Sequence, residues 1–182
     1  PYSLLVARAR GVDLRRVGSG NIGATNVARN LGLRWGVLAL LLDALKGFGP
    51  VLAARLLLPA EGHGAWLLGA TMVAAVAGHM FTFVLRFRGG KGVATALGSF
   101  LAVCPLAGLV GAVLYVGLYA ALRISSVGSM ALTVSVPVAM WLLGVPAPLL
   151  VATGVIAVLI VIKHIPNLRR LARGEEGRLS SR

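Results

Sequence analysis

Apolar residues run in long blocks along this chain, and the polar residues collect in the gaps between them. From Trp35 to Leu58 the only charged residues are Asp43, Lys46 and Arg55. A block of that length crosses the ~30 Å hydrocarbon of a bilayer at about 1.5 Å of helix per residue. Pro59 to Gly64 reads as a short turn, and Ala65 to Leu85 crosses back, with His79 near its end. Val93 to Leu122 is too long for one simple span, and Pro105 divides it into two helices, the first short. Arg123 to Ser129 reads as a polar turn. Met130 to Leu143 and Pro148 to Ile162 are the last two crossings, joined by Gly144-Val145-Pro146-Ala147. Tyr2 to Ala7 is too short to span and lacks the basic, apolar, small order of a signal peptide. It reads as the inner end of a helix whose beginning is missing from this chain. The expected fold is an all-α, polytopic membrane bundle of about seven transmembrane helices, forming one domain over residues 1–182.

Composition agrees with the pattern. The chain is 58% hydrophobic and 13% charged, with a mean hydropathy of +0.88. A soluble domain of this size has no interior large enough for that much apolar surface. The formal net charge is +13, from 18 Lys and Arg against 5 Asp and Glu. In a soluble protein this balance suggests nucleic acid, but at 6% aromatics there are no stacking platforms, and no nucleic-acid partner is expected. The bases have a simpler reading. Sixteen of the eighteen fall on one side of the predicted membrane, in Arg8–Arg34, Arg86–Lys91, Arg123 and Lys163–Arg182. The turns on the other side hold none. By the positive-inside rule the basic side is cytoplasmic, with the C-terminus inside. Cys104, the single cysteine, lies in an apolar run and reads as packing.

Four polar clusters share that basic side. Gly18-Ser19-Gly20-Asn21-Ile22-Gly23-Ala24-Thr25-Asn26-Val27-Ala28-Arg29 contains the letters G-x-G-x-x-G. The dinucleotide reading fails, because that motif needs a preceding strand and a βαβ unit. A merely flexible loop leaves its density of hydroxyl and amide side chains unexplained. Ser19, Asn21 and Thr25 are placed to cap a short helix whose N-terminus receives an anion, with Arg29 a turn or two further on. The second cluster, Phe87-Arg88-Gly89-Gly90-Lys91-Gly92-Val93-Ala94-Thr95, sets one lysine among bare glycines. Glycines let backbone N–H groups approach a ligand closely and the lysine adds a point charge, so Gly89, Gly90, Lys91 and Gly92 suit a phosphate. This is no Walker A loop: Leu85 stands in place of its first glycine and Gly92 in place of Ser or Thr.

The third cluster, Arg123-Ile124-Ser125-Ser126-Val127-Gly128-Ser129, would be an ordinary turn by itself. In the fourth, His164 and Asn167 lie three apart where the last span ends. Arg169, Arg170 and Arg173 beyond them read as partners of anionic lipid headgroups. Asp43 and Lys46, three apart on one helix face, read as a pair. His79 reads as a satisfied interfacial histidine, and His63 receives no role. No metal-ligand spacing and no G-x-S-x-G elbow occurs. Five positions after the three histidines stand Leu68, Val84 and Arg169, so the His-Asp pair typical of the commoner glycerolipid acyltransferases is absent.

The Gly18–Arg29 segment, Gly89-Gly90-Lys91-Gly92-Val93-Ala94-Thr95, and Lys163-His164-x-x-Asn167 through Gly174-x-Glu176 resemble the three signature segments of the bacterial acyl-phosphate:glycerol-3-phosphate acyltransferases, the PlsY family. The likeness runs from Tyr2 to Glu176, with the motifs in the family's order. The chain departs from the family in missing most of the first helix, and in having isoleucine after Arg123 where the family tends to have an aromatic. Ser126 and Ser129 keep the hydroxyls. The resemblance implies transfer of an acyl group from acyl phosphate to the 1-hydroxyl of glycerol 3-phosphate, giving lysophosphatidic acid and inorganic phosphate at a bacterial plasma membrane. No cofactor and no covalent acyl-enzyme are implied; the partners are the two substrates and membrane lipid, and no oligomeric state follows.

By motif position the phosphate-site residues implied are Ser19, Ala24, Thr25, Arg29, Lys91, Ser126, His164 and Asn167. Gly20, Asn21, Gly89, Gly90, Gly92 and Ser129 are expected to contribute to binding. Ser19, Lys91, His164 and Asn167 are the expected catalytic set. The general base is either the substrate's own phosphate or His164. The alternative reading is a membrane carrier for organic phosphates, but carriers usually place their site at the midplane between internal repeats, and no repeat occurs here.

Overall fold

A computed structural model describes residues 1–59 and 61–177; Ala60 and residues 178–182 lie outside the described residues. Eight α-helices are present among the described residues: α1 (Tyr2–Arg8), α2 (Ala24–Leu31), α3 (Leu33–Leu57), α4 (His63–Met80), α5 (Val93–Val103), α6 (Pro105–Leu122), α7 (Ser125–Leu142) and α8 (Ala147–Ala172). The all-α bundle expected from the pattern is what forms. Five helices, α3, α4, α6, α7 and α8, are long and apolar enough to cross a membrane. α5 is the short first helix expected of the divided block. Its 11 residues reach only ~16 Å at 1.5 Å each, about half a bilayer. The break is where Pro105 predicts it, at Cys104, and α6 starts on the proline itself.

Three boundaries differ from the sequence reading. α4 starts at His63, inside the presumed outer turn, and ends at Met80, followed by a 3-10 turn at Phe83–Leu85. α7 starts at Ser125, so the presumed polar turn of Arg123–Ser129 shrinks to Arg123, at φ 59°, and Ile124. Of the hydroxyls that suggested a loop, that of Ser129 bonds back to its own helix, its Oγ donating to Ser125 O at 2.9 Å, and one turn on Thr133 Oγ1 donates to Ser129 O at 2.7 Å. α8 runs ten residues beyond Ile162, and this carries His164 and Asn167 onto a helix rather than into a tail.

Packing follows small residues. Where α3 crosses α5, a Cβ on Gly47 would strike the Thr95 carbonyl, and one on Gly98 would strike that of Ala44. Two helices approach this closely only through glycine, as in membrane helix pairs generally. α5 ends inside the bundle, and its last carbonyls need donors. Arg55 supplies one, donating from Nη1 to Ala102 O at 2.6 Å. One apolar cluster joins Val51, Met72, Val76, Phe100, Leu132, Val136, Met140 and Ile156. A second, around Leu4, Leu14, Ile22 and Val27, pins α1 and the loop before α2 against α3. Large apolar side chains such as Leu57, Val113 and Trp141 remain exposed on the outside, as a lipid-facing surface requires.

Candidate active site

All four polar clusters meet at one end of the bundle, around a cavity of about 610 Å³. The first cluster is shaped by Asn26, which is 2% exposed. Its Nδ2 donates to the carbonyls of Leu14, Val17 and Asn21 at 3.1, 3.0 and 2.9 Å, and its Oδ1 accepts the Ser19 amide at 3.2 Å. Gly18, at φ 58°, has no room for a Cβ beside Asn26 Oδ1. These bonds fold the loop so that Ser19 and Asn21 line the cavity. The cap of α2 is Gly23, not Ser19, Asn21 or Thr25 as the sequence suggested; the loop hydroxyls face the cavity instead of the helix end.

Three helices begin on the cavity wall: α2 at Ala24, α5 at Val93 and α7 at Ser125. None has an acidic residue in its first turn. The first amides of a helix have no intrahelical acceptor, and the macrodipole places about half a positive charge there. Three such ends facing one space make an anion site from backbone alone. Hydroxyls link them: Ser125 Oγ lies 2.9 Å from Thr25 Oγ1 and 2.9 Å from Tyr115 Oη. Ser126, 5% exposed, lines the same cavity, and its Oγ is buried without a hydrogen-bond partner among the described residues.

The cations form a chain. Lys91 Nζ donates to Asn167 Oδ1, Asn167 Nδ2 donates to Glu176 Oε1, and Arg170 Nε donates to Glu176 Oε2 at 2.8 Å. Arg29 Nη2 reaches Gly177 O at 3.4 Å. Burial is the main cause that holds Lys91 down to about 8, against a counter-pull from Glu176 and with Arg170 and Arg29 adding to the depression. Burial alone would raise the Glu176 carboxyl; its bonds to Asn167 and Arg170 outweigh that and hold it below the ordinary value. His164 is 2% exposed. Its Nδ1 lies 2.8 Å from Ile160 O; a carbonyl only accepts, so Nδ1 carries a proton, and in the neutral ring Nε2 keeps its lone pair.

The residue types and their order decide whose site this is. The profile described as Glycerol-3-phosphate acyltransferase matches residues 1–174. The chain belongs to that family. Relatives include a Glycerol-3-phosphate acyltransferase of Geobacter sulfurreducens, 49% identical over 100% of this chain and 91% of that protein, and one of Aquifex aeolicus, 43% identical over 97% and 91%. Two crystal structures of PlsY, an integral membrane glycerol 3-phosphate acyltransferase, are similar. The glycerol 3-phosphate form matches at TM-score 0.93 and 41% identity, covering 98% of this chain and 88% of that one. The lysophosphatidic acid form matches at 0.90 and 40%, covering 97% and 87%. Acyltransferase class and integral membrane fold thus agree with the sequence reading.

Within this family frame, the cavity collects Ser19, Asn21, Ala24, Thr25, Arg29, Lys91, Gly92, Ser126, Ser129, His164 and Asn167. Gly20, Gly89 and Gly90 line a smaller adjoining cavity of about 260 Å³, which shares Ser19, Asn21, Lys91 and Asn167. Two expectations change. Arg170 does not face lipid headgroups: it pairs with Glu176 and lines both cavities. The glycines at 89 and 90 answer first to packing, because a Cβ on either would strike His79, the first at its carbonyl and the second at its ring. The sequence reading missed Asn26, Ser125 and Glu176 as site residues, although all three stand inside the motifs it quoted. It also missed the apolar half of the cavity, where Leu40, Leu97, Ala112, Tyr115, Val116 and Leu132 come from four helices.

Proposed function

We propose that this chain moves an acyl group from acyl phosphate to the 1-hydroxyl of glycerol 3-phosphate, releasing lysophosphatidic acid and inorganic phosphate. The observation that carries the reading is the junction of an apolar wall with a polar end built from three helix N-termini, Lys91, Arg29 and buried hydroxyls. Such a space suits a donor with an acyl chain at one end and phosphate at the other. The acceptor hydroxyl attacks the carbonyl carbon, the new ester bond forms, and the bond to the phosphate oxygen breaks. Atoms balance with the hydroxyl proton on the released phosphate, so the substrate phosphate itself can serve as base; His164, with its Nε2 lone pair, is the side-chain alternative. Acyl phosphate is already activated, and no covalent acyl-enzyme is needed. Positioning and charge stabilisation carry the reaction.

In this scheme Ser19, Lys91, His164 and Asn167 touch the reacting groups. Gly20, Asn21, Ala24, Thr25, Arg29, Gly89, Gly90, Gly92, Ser126 and Ser129 hold phosphate oxygens or shape the loops that do. No cofactor enters. The chain works as one domain in the bacterial plasma membrane, with the site on the cytoplasmic side where the bases gather. The test is product formation by the purified protein, with acyl phosphate and acyl-CoA compared as donors. Lysophosphatidate from acyl phosphate alone is expected; equal rates from acyl-CoA would sink the donor assignment, and acylation at the 2-hydroxyl would sink the regiochemistry.

A further inference from the structure

Behind the Lys91 loop lies a buried ionic cluster that the chemistry above leaves unused. The Asp43 carboxylate on α3 accepts the amides of Tyr2 and Ser3 at 3.0 and 3.3 Å, the Ser3 hydroxyl at 2.5 Å and Lys46 Nζ at 3.1 Å. Lys46 Nζ also lies 2.7 Å from His79 Nδ1. An ammonium only donates, so Nδ1 accepts and the ring proton sits on Nε2. Asp43 is 1% exposed and His79 5%. Charge buried this deeply is weak evidence of a stabilising purpose, since apolar side chains of similar size often serve stability as well.

The far end of the cluster carries the argument. His79 Nε2 occupies the space that a Cβ on Gly90 would fill, and the Gly89 amide donates to Met80 O at 3.0 Å. Downstream of Lys91, Thr95 Oγ1 donates to the carbonyl of Asp43 at 3.0 Å. The chain on both sides of Lys91 therefore rests on Asp43 and His79, and both of these residues line the main cavity.

We propose that Asp43, Lys46 and His79 are positioning residues, with the His79 ring forming the seat on which Gly90 rests and so fixing where Lys91 enters the cavity. This rests on the reading of Lys91 as a phosphate-binding residue. The experiment is steady-state kinetics on the full chain in detergent, comparing wild type, His79→Ala, Gly90→Ala, the double variant and Lys91→Ala. His79→Ala is expected to raise KM for glycerol 3-phosphate roughly tenfold with kcat within about threefold, and with the thermal midpoint within about 3 °C. Gly90→Ala gives the same signature alone. In the double variant the missing ring makes room for the new methyl, so its KM is no worse than that of Gly90→Ala; seen in KM while the thermal midpoint holds, this coupling is not a loss of stability.

Unchanged KM in His79→Ala, or independent multiplication of the two effects, overturns the proposal. Should His79→Ala not fold, His79→Gln takes its place, its amide oxygen accepting from Lys46, with the same expected coupling to Gly90→Ala. Lys91→Ala separates the two levels. Wild-type KM there defeats the reading of Lys91 and the proposal with it, whereas a large KM rise alongside normal His79 variants defeats the proposal alone.

Discussion

Lys91 holds its charge against the surroundings that the fold gives it. Unfolded, it titrates near 10.5; in the folded protein it is pushed down to about 8, chiefly by burial. Between those values the unfolded chain binds the extra proton, so the stability of the ligand-free protein rises with pH over that window. Activity runs the other way. Above about pH 8 the empty site loses its cation, so kcat/KM falls, while kcat holds to higher pH because a bound phosphate restores the lysine's affinity for its proton. Thermal melts and pH-rate profiles of wild type and Lys91→Met check both; a variant that keeps either limb contradicts the assignment. Ser126 offers a second contrast. Removing its buried hydroxyl in Ser126→Ala should lower turnover roughly 100-fold, checked by steady-state kinetics, with the thermal midpoint little changed. Lys91 was legible in the sequence because bare glycines flank it, and His164 and Asn167 because they lie three apart where the last span ends. Glu176 was not, since its role exists only once the chain folds back from Ala172 to meet Asn167 and Arg170.

Among the elements, α5 differs most from a simple transmembrane pattern, and two contacts hold it. Gly47→Ala pushes a methyl into the Thr95 carbonyl and should cost about 1–3 kcal/mol, visible as a lower thermal midpoint in detergent. Arg55→Leu leaves the Ala102 carbonyl without its donor and should cost about 1–3 kcal/mol. Neither residue touches the cavity, so kcat in the surviving folded protein should stay near wild type. Hydrophobic blocks told where the long helices lie, and Pro105 told where α5 ends. The start of α7 was misread for a physical reason: a run of hydroxyls reads as a turn, yet Ser129 bonds back to its own helix and Ser125 bonds across to Thr25 and Tyr115, so all three serines sit in the first turns of a helix.

For the molecule as a whole, the uneven distribution of bases sets a testable orientation. Cysteines placed at Arg88 and Arg123 in a Cys104→Ser background should react with a membrane-impermeant thiol reagent only after the cytoplasmic face is opened. One placed at Val145 should react from the other side; the reverse pattern would invert the topology. The general form, an apolar bundle with one basic end, was legible because solvent dictates it, whereas the cavity needed helices far apart in sequence to converge. That convergence of α2, α5 and α7 has a further consequence. Backbone dipoles do not titrate and do not distinguish one oxyanion from another of similar size, so in the proposed reaction the pocket would keep an affinity for the phosphate it releases. Inorganic phosphate should therefore compete with both substrates, and the rate of lipid synthesis would carry a built-in sensitivity to the cell's phosphate level.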